Sequence, residues 1–396
     1  MSNPRFLTVE GLVKETEPSL RKRELTKVPL FKPSLGAEEL AALAELFKSG
    51  WIGLGPRTAQ FEEHFAEYIG APYAVGVNSC TAALHLSLQL AGVTGGEVIV
   101  PAITFVSTAH AAAYNGAKPV FVDVDEDTLC LDVDDLQQKI SSKTKAIVAV
   151  HLGGHPCDMD PILQVAKDNN VPVLEDVANA CGGEYRGRKL GSLGAYGCFS
   201  FEAKKNMTTG DGGMITTADQ EAAAALKRLR WCGINKDTWK RFSGEAAYSW
   251  QYDVAEVGYK YNMNDIMAAI GLVQLQKLDA VNTQKRRIIQ AYREAFRNLN
   301  WLQCPEEKPW AFGAYWLFIV RVRGRERFMK HLADRGITTG VHFMPVHLFS
   351  CYRDYEAKVP VAERVWRTMV SLPLYATMTD TEFEAVVDAV CSYNPA

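Results

Sequence analysis

Seven short apolar runs lie between residues 73 and 217, and segments of helical length separate several of them. The runs span 73–77, 97–100, 119–124, 145–150, 171–175, 197–201 and 213–217. Strands that are apolar along their whole length fit a sheet that is buried on both faces, and parallel strands need crossover connections that are usually helices. We therefore predict an α/β domain with a large, mostly parallel sheet.

The pattern changes after residue 218 and predicts a second, smaller domain. A long helical zone runs from Asn264 to about Leu299, and the strand pattern YWLFIVRV and the helical patterns ERFMKHLADRG and EFEAVVDAV follow it. A chain of 396 residues has room for two or three domains. We predict an N-terminal arm over 1–27, a large domain over 28–262, a linking helical region over 263–299 and a small α+β domain over 300–396.

Composition excludes several classes of function. The 43 Lys and Arg residues against 46 Asp and Glu residues give a net charge of −3, without the basic excess of nucleic-acid-binding proteins. No run reaches the ~18 apolar residues of a membrane span, and the N-terminus lacks the apolar region of a signal peptide. We expect a cytoplasmic protein with no nucleic acid or membrane partner. The nine cysteines have no CxxC spacing, so we expect no metal site and reduced, mostly buried thiols.

Polar or aromatic residues follow four of the predicted strands, where ligands of open α/β sheets bind. These residues are the NSCT turn that precedes an apolar helix, Phe105, Asp176 and the pair Lys204 and Lys205. Each has an ordinary structural interpretation as well. The turn and Asp176 could be helix caps, Phe105 could be part of the core, and a lysine pair is commonly a solvated surface.

Together, these residues match the needs of one cofactor, pyridoxal 5′-phosphate. This cofactor requires a lysine for its Schiff base, a carboxylate that keeps the pyridine nitrogen protonated and an anchor for its phosphate. The free N–H groups at a helix start provide such an anchor, and an aromatic side chain can stack on the planar ring. Asp176 and Lys205 lie 29 positions apart and occur in the order that such an enzyme needs.

The sequence resembles the DegT/DnrJ/EryC1/StrS family of sugar aminotransferases from about residue 29 to residue 375. The segments that carry the resemblance are GWIGLGPRTAQFEEHFAEYIG, VGVNSCTAALHLSL, VPAITFVSTAHAAAYNGAKPVFVDVD, VHLGGHPCDMD, EDVANACGGEYRGRKLGSLG, FSFEAKKNMTTGDGGM, GYKYNMNDIMAAIGLVQL, GVHFMPVH and SLPLY. The resemblance implies the type I fold of aspartate aminotransferase, with a large, mostly parallel sheet domain and a small α+β C-terminal domain.

The resemblance also assigns roles around the cofactor ring. The Schiff-base lysine of the family precedes an Asn and a Thr-Thr-Gly turn, which indicates Lys205 and not Lys204. Asp176 matches the partner of the pyridine nitrogen, and Phe105 matches the aromatic residue that covers the ring. Asn179 stands where the family usually has Gln or His, next to the phenolic oxygen of the cofactor.

A phosphate site completed by a second copy of the chain is also implied. The residues that the same chain would contribute to the phosphate site are Ser79, Cys80, Thr81 and Ser200. Cys80 stands where the family commonly has Gly and would bind the phosphate through its backbone amide. Lys260 or Asn262, in GYKYN, would reach the phosphate of the neighbouring subunit. The resemblance therefore implies a homodimer with shared active sites, and the stretch TWKRFSGEAAYSWQYDV is predicted to lie near the interface.

Three histidines, His155, His342 and His347, lie in segments that the family places near the active site. Each could contact the substrate or the phosphates of its nucleotide, although a structural role is the more common one for any single histidine. Arg57 is a further candidate for binding a substrate anion, with a surface role as its alternative. The implied reaction moves an amino group from glutamate to a keto sugar. The motifs are most similar to perosamine-synthase-like enzymes, which act on nucleotide-linked 4-keto-6-deoxy sugars in the biosynthesis of amino sugars for polysaccharides, lipopolysaccharides or antibiotics.

Several alternatives remain open at this point. A different keto sugar or a cyclic ketone could be the acceptor. The dehydratase branch of the family has His at the position of Lys205, so the lysine favours amino transfer. A cofactor-binding regulator without turnover would not need Lys205, Asp176 and Ser200 together. A dinucleotide-dependent reductase should have a GxGxxG motif after its first strand, and this chain has none there.

Overall fold

A computed structural model describes residues 27–235 and 252–395 of the chain. All but the last residue of the predicted N-terminal arm lies outside the described residues, and so does most of the stretch predicted at the subunit interface. Within the described residues, no helix has both the length and the apolar character that crossing a membrane requires. Five of the nine cysteines are buried and three are exposed.

The strands of the described chain fall into three sheets. In chain order they are β1 (Tyr73–Val77), β2 (Glu97–Pro101), β3 (Lys118–Val122), β4 (Thr144–Val150), β5 (Val173–Asp176), β6 (Glu184–Tyr185), β7 (Arg188–Lys189), β8 (Tyr196–Ser200), β9 (Gly213–Thr217), β10 (Leu302–Gln303), β11 (Ala311–Phe312), β12 (Phe318–Val322) and β13 (Met369–Leu372). Seven of them form the large sheet, in the order β1-β9-β8-β5-β4-β2-β3. All seven predicted apolar runs are strands of this sheet.

The helices alternate with the strands as the sequence predicts. They are α1 (Ala37–Ser49), α2 (Pro56–Ile69), α3 (Cys80–Leu90), α4 (Ser107–Tyr114), α5 (Val133–Lys139), α6 (Met159–Asp168), α7 (Gln220–Leu229), α8 (Asp265–Phe296), α9 (Arg325–Ala333), α10 (Pro360–Val365) and α11 (Asp380–Cys391). The five consecutive strands β8, β5, β4, β2 and β3 run parallel, whereas β9 pairs antiparallel with both β1 and β8. The connection from β8 to β9 contains no helix, so β9 returns in the opposite direction.

Two hydrophobic cores are present in the described chain, and α8 contributes to both. The first core surrounds the large sheet and includes Ala268 of α8, and the second includes Tyr292 of the same helix. The second core lies against the three-stranded antiparallel sheet β10-β12-β13. A single helix of 32 residues therefore joins the cores and links the sheet domain to the smaller α+β part.

One predicted helical face differs from the structure. The sequence places Leu40, Leu43, Leu46 and Phe47 on one face of α1. Leu46 is buried, but Leu40 and Phe47 are 69% and 59% exposed. The helix packs against α8 through a narrower stripe, in which Glu39 is buried and bonded to Lys277 (2.8 Å). The outer apolar side chains of α1 are thus left without cover in the single chain.

Candidate active site

A cavity of about 470 Å³ lies at the carboxyl ends of the central strands. It brings together eight residues that the sequence assigns to the cofactor: Ser79, Cys80, Thr81, Phe105, Asp176, Asn179, Ser200 and Lys205. They follow β1, β2, β5 and β8, which meet at this edge although their residues are far apart in the chain. The sheet topology therefore builds the site, as the rule for open α/β sheets predicts.

Asp176 ends β5 at the base of the cavity and is only 4% exposed. Its Oδ2 accepts a hydrogen bond from Oγ1 of Thr108 (2.9 Å), and its Oδ1 accepts one from the amide of Ala178 (3.1 Å). Burial raises the pKa of the Asp176 carboxyl, and these two donors and the charge of Lys205 act against that rise. The carboxylate is thus fixed in orientation and needs a cationic partner in the cavity to offset its burial.

Thr108, which is not among the residues predicted from the sequence, is the side chain that donates to Asp176. It lies in the first turn of α4, and its Oγ1 is 2.9 Å from Oγ1 of Thr104, which lines the cavity. Because the Thr108 hydroxyl donates to Asp176, Thr104 must be the donor in the pair. The only signal in the sequence is the spacing of two threonines four positions apart just after β2, which is also common in ordinary helix starts.

Lys205 lies in the turn after β8, half-buried, with its side chain on the cavity. Burial lowers the pKa of its amine to about 8, although the nearby charge of Asp176 favours the protonated form. The side chain of its neighbour Lys204 is 58% exposed and lies 3.9 Å from Glu202, measured from Nζ to Oε1. Both lysines line the cavity, but only the amine of Lys205 lies over the ring of Trp316, whereas the side chain of Lys204 is largely exposed.

A buried amine on α8 lies close behind this turn. Nζ of Lys285 donates to Oδ1 of Asn206 (3.1 Å), and Nδ2 of Asn206 donates to Oδ1 of Asn282 (2.8 Å) and to the carbonyl of Ala314 (2.9 Å). Burial and the charge of Lys205 lower the pKa of Lys285 to about 7. This network fixes the backbone directly after Lys205, and no pattern in the sequence indicates it.

The start of α3 lies at the cavity and presents the free amides of its first turn there. Ser79 is the N-cap, and its Oγ accepts a hydrogen bond from the amide of Ala82 (3.1 Å). The amides of Cys80 and Thr81 belong to the first turn, whose N–H groups have no acceptor within the helix. An added Cβ on Gly213 would lie 2.6 Å from the carbonyl carbon of Ser79, so only glycine lets β9 run this close to the turn.

The residues present therefore fit pyridoxal phosphate. A lysine and a carboxylate share one cavity with the N-terminus of a helix, whose free N–H groups suit a phosphate. Ser200, at the end of β8, lines the same cavity and could add its hydroxyl. Asn179 uses its Oδ1 to accept the amide of Gly153 (3.3 Å), which leaves its Nδ2 as the donor for a ligand oxygen. Phe105 is 56% exposed at the cavity and free to cover a planar ring.

One wall of the cavity is aromatic, and we call Phe31, Trp316, His342 and Phe343 the aromatic wall. Phe31 stacks on Trp316 with ring centroids 5.2 Å apart and planes at 5°. His342 bonds to Oγ of Ser371 through Nδ1 (2.8 Å), and burial together with the charges of Lys205 and Lys204 lowers its pKa to about 4. Of these four residues, only His342 is predicted from the sequence, because Trp316 lies in an apolar string that is typical of a core strand.

Four of the other predicted site residues lie outside this cavity in the single chain. His155 bonds to the carbonyl of Pro156 (2.7 Å) and accepts the amide of Lys308 (3.2 Å), so both ring nitrogens are occupied. His347 pairs with Glu363 at 3.2 Å. The remaining two are Lys260, whose Nζ is 3.2 Å from the ring centroid of Trp231, and Asn262, which donates to the carbonyl of Met263 (3.0 Å).

Arg57 also lies apart from Lys205. It lines a separate cavity of about 290 Å³ beside Trp51 and Asp265. Its amide donates to Oδ2 of Asp265 (3.1 Å), and its guanidinium donates to Gln60 (3.1 Å). In the single chain, Arg57 therefore has no contact with the cavity that holds Lys205.

The fold and the cavity define a pyridoxal-phosphate-dependent aminotransferase of type I fold. The sequence profile of the DegT/DnrJ/EryC1/StrS aminotransferase family matches residues 33–391, and the chain belongs to this family. The spore coat polysaccharide biosynthesis protein SpsC of Bacillus subtilis is 41% identical over 375 residues, which cover 92% of this chain and 96% of SpsC.

Solved structures agree with this assignment. The aminotransferase TlmJ from Streptoalloteichus hindustanus is 37% identical and superposes with a TM-score of 0.86, over 92% of this chain and 97% of TlmJ. Spr1654 from Streptococcus pneumoniae, solved in its PMP form, is 31% identical with a TM-score of 0.86, over 92% and 98% of the two chains. Pyridoxal phosphate is therefore the cofactor of this sugar aminotransferase.

Proposed function

We propose that the enzyme transfers an amino group from L-glutamate to a nucleotide-linked 4-keto-6-deoxy sugar in the cytoplasm. The observation that carries this proposal is that Lys205 shares one cavity with Asp176 and lies over the ring of Trp316 in the aromatic wall. The wall offers an apolar surface for the methyl group and the ring face of a deoxy sugar. The similarity to SpsC, a protein of polysaccharide biosynthesis, supports a sugar acceptor.

The proposed roles follow from the contacts of each residue. Bound pyridoxal phosphate supplies a ring that withdraws electrons from the substrate carbon and carries nitrogen between the two substrates. Asp176 would hold the ring nitrogen in its protonated form through a charge-assisted hydrogen bond. The amides of Cys80 and Thr81, with Ser200, would hold the phosphate, and Phe105 would cover the ring.

Lys205 is proposed as the group that moves the proton. An amine with a pKa of about 8 is uncharged in a substantial fraction of molecules near neutral pH, so it can take a proton from the substrate carbon and return it elsewhere. Trp316 and Asp176, which line the same cavity, are both buried. The lysine also argues against the dehydratase alternative.

The acceptor is tested with the pyridoxamine form of the enzyme, prepared with glutamate. We expect 2-oxoglutarate to appear in an amount equal to the enzyme, and we then expect nucleotide-linked 4-keto-6-deoxy sugars to restore the visible absorbance of the bound cofactor. Mass spectrometry of the product should show an amino group in place of the ketone. Recovery with 3-keto sugars alone, or loss of a hydroxyl group without gain of nitrogen, would contradict the proposal.

The active site is further proposed to be shared between two copies of the chain. Arginine does not occur among the described residues that line the cavity, although both the cofactor and the acceptor are anionic. Lys260 and Asn262 lie outside the cavity of their own chain and are proposed to reach the phosphate in the other copy. Leu40 and Phe47, exposed on α1, provide apolar surface for such an association.

Mixing two inactive variants tests the shared site. One variant is Lys205→Ala, and the other is the double variant Lys260→Ala/Asn262→Ala. Their substitutions lie in different parts of the proposed site. A mixed dimer would contain one intact site, so random exchange of subunits should restore about a quarter of the wild-type activity. Each variant mixed with itself is the control. Mixed dimers that form but stay inactive would contradict the shared site.

A further inference from the structure

Trp316 contacts both members of the lysine pair. Its indole Nε1 donates a hydrogen bond to the backbone carbonyl of Lys204 (2.8 Å), and Nζ of Lys205 lies 3.4 Å from the centroid of its ring. The side chain is 4% exposed. The edge of the indole is thus hydrogen-bonded to the lysine turn, and the face of its ring contacts the amine of Lys205.

The indole itself is held from several directions. Phe31 stacks on its face, and His342 contacts it edge-on at 5.4 Å between centroids. The amide of Trp316 donates to the carbonyl of Gly153 (3.0 Å), and the amide of Gly153 donates to Asn179. An added Cβ on the next residue, Gly154, would lie 2.4 Å from the carbonyl oxygen of Ala314, so this close approach requires glycine. The ring is therefore a fixed surface.

A protonated amine over a fixed indole ring is attracted by the negative face of the ring, and the attraction increases where water is excluded. The attraction is independent of the charge on Asp176, which lies at the base of the cavity. A lysine that bonds to a cofactor and is then released needs a place for its amine close to the cofactor. Without one, the flexible four-carbon side chain could extend toward solvent, and the side chain of the neighbouring Lys204 is 58% exposed.

We propose that Trp316 is a positioning residue that holds the free amine of Lys205 in the cavity whenever the amine is not bonded to the cofactor. Its hydrogen bond to the carbonyl of Lys204 orients the turn, so that the amine of Lys205, and not that of Lys204, lies over the indole ring. The inference rests on the proposed role of Lys205 as the lysine that bonds the cofactor. It adds a separate step, the capture of the cofactor, in which the held amine gives up its proton to solvent and forms a C=N bond with the aldehyde carbon of pyridoxal phosphate, while the aldehyde oxygen leaves as water.

The test measures cofactor capture by the apoenzyme, followed as visible absorbance after mixing with pyridoxal phosphate. Trp316→Leu removes the ring and the N–H donor, and we expect capture to slow by about tenfold, the size of a cation–π contact at a partly desolvated site. Trp316→Phe keeps a ring, so capture should stay within about threefold of the wild type. Trp310→Phe, at a tryptophan outside the cavity, should capture at the wild-type rate.

Binding of pyridoxamine phosphate controls for the fold, because it uses the phosphate and ring contacts but no bond to lysine. Its Kd should be unchanged in Trp316→Leu. If this variant binds no pyridoxamine phosphate, Trp316→Met replaces it in the comparison. Capture at the wild-type rate in a variant without the ring would overturn the inference. Capture with visible absorbance by Lys205→Ala would instead overturn the proposed function, so the two failures are distinguishable.

Discussion

Replacement of Lys205 by alanine is expected to abolish amino transfer, with a loss of about 10⁴-fold or more in rate. The lysine has two proposed functions, the covalent attachment of the cofactor and the transfer of a proton at the substrate carbon. Alanine removes both at once, and no neighbouring amine can replace it. Lys204 lies on the surface, and Lys285 is buried and bonded to Asn206.

The measurements are 2-oxoglutarate formation from glutamate and the visible spectrum of the purified protein. Lys204→Ala is the matched control, because it removes a neighbouring lysine side chain while its backbone carbonyl still accepts from Trp316. We expect this control to keep its absorbance and to lose no more than about threefold in rate, as for most surface substitutions. A Lys205→Ala protein that retains both the visible absorbance and nitrogen transfer would disprove the assignment.

Asp176→Asn is expected to lower the rate of the half-reaction with glutamate by about 10³-fold, the size seen when one preorganised electrostatic contact is removed. The amide has no charge to keep the ring nitrogen protonated. In addition, it has one acceptor oxygen for two donors, Thr108 and Ala178, so its NH₂ group must face one of them. The side chain keeps its shape, so the cofactor should still bind.

Single-turnover kinetics with glutamate measures this effect, and titration with pyridoxamine phosphate measures cofactor binding separately. Asp211→Asn is a suitable control, since Asp211 also lines the cavity but lies outside the strand ends. We expect Asp211→Asn to change the half-reaction by less than about threefold. Equal losses of rate in the two variants would show that the overall negative charge of the cavity, and not the contact of Asp176 with the ring nitrogen, determines the rate.

Much of this site follows from the sequence because strand ends are easy to locate. The apolar runs are short and bounded, so the positions after them, Phe105, Asp176 and Lys205, could be placed at one edge without knowledge of the strand order. The seven strands are confirmed within two residues at either end. These features depend on local patterns, which a single sequence contains.

The remaining features depend on contacts between distant segments. Trp316 occurs in an apolar string, and only its packing against Phe31 and the lysine turn separates it from the core. Lys285 lies on a charged stretch of helix, where burial is unexpected. Leu40 and Phe47 of α1 show the opposite case, in which an apolar pattern remains exposed. Sequence periodicity indicates which face could be buried but not which face finds a partner.

The aromatic wall and the cofactor residues come from separate parts of the chain. Those assigned to the cofactor in this cavity lie between positions 79 and 205, on the large sheet, whereas Phe31, Trp316, His342 and Phe343 lie before and after that stretch. Substitutions at Phe31, His342 or Phe343 would reshape the space for an acceptor while Lys205 and Asp176 stay in place. Such a division allows a lineage of these enzymes to acquire new acceptors by a few changes outside the sheet, with its reaction chemistry inherited intact.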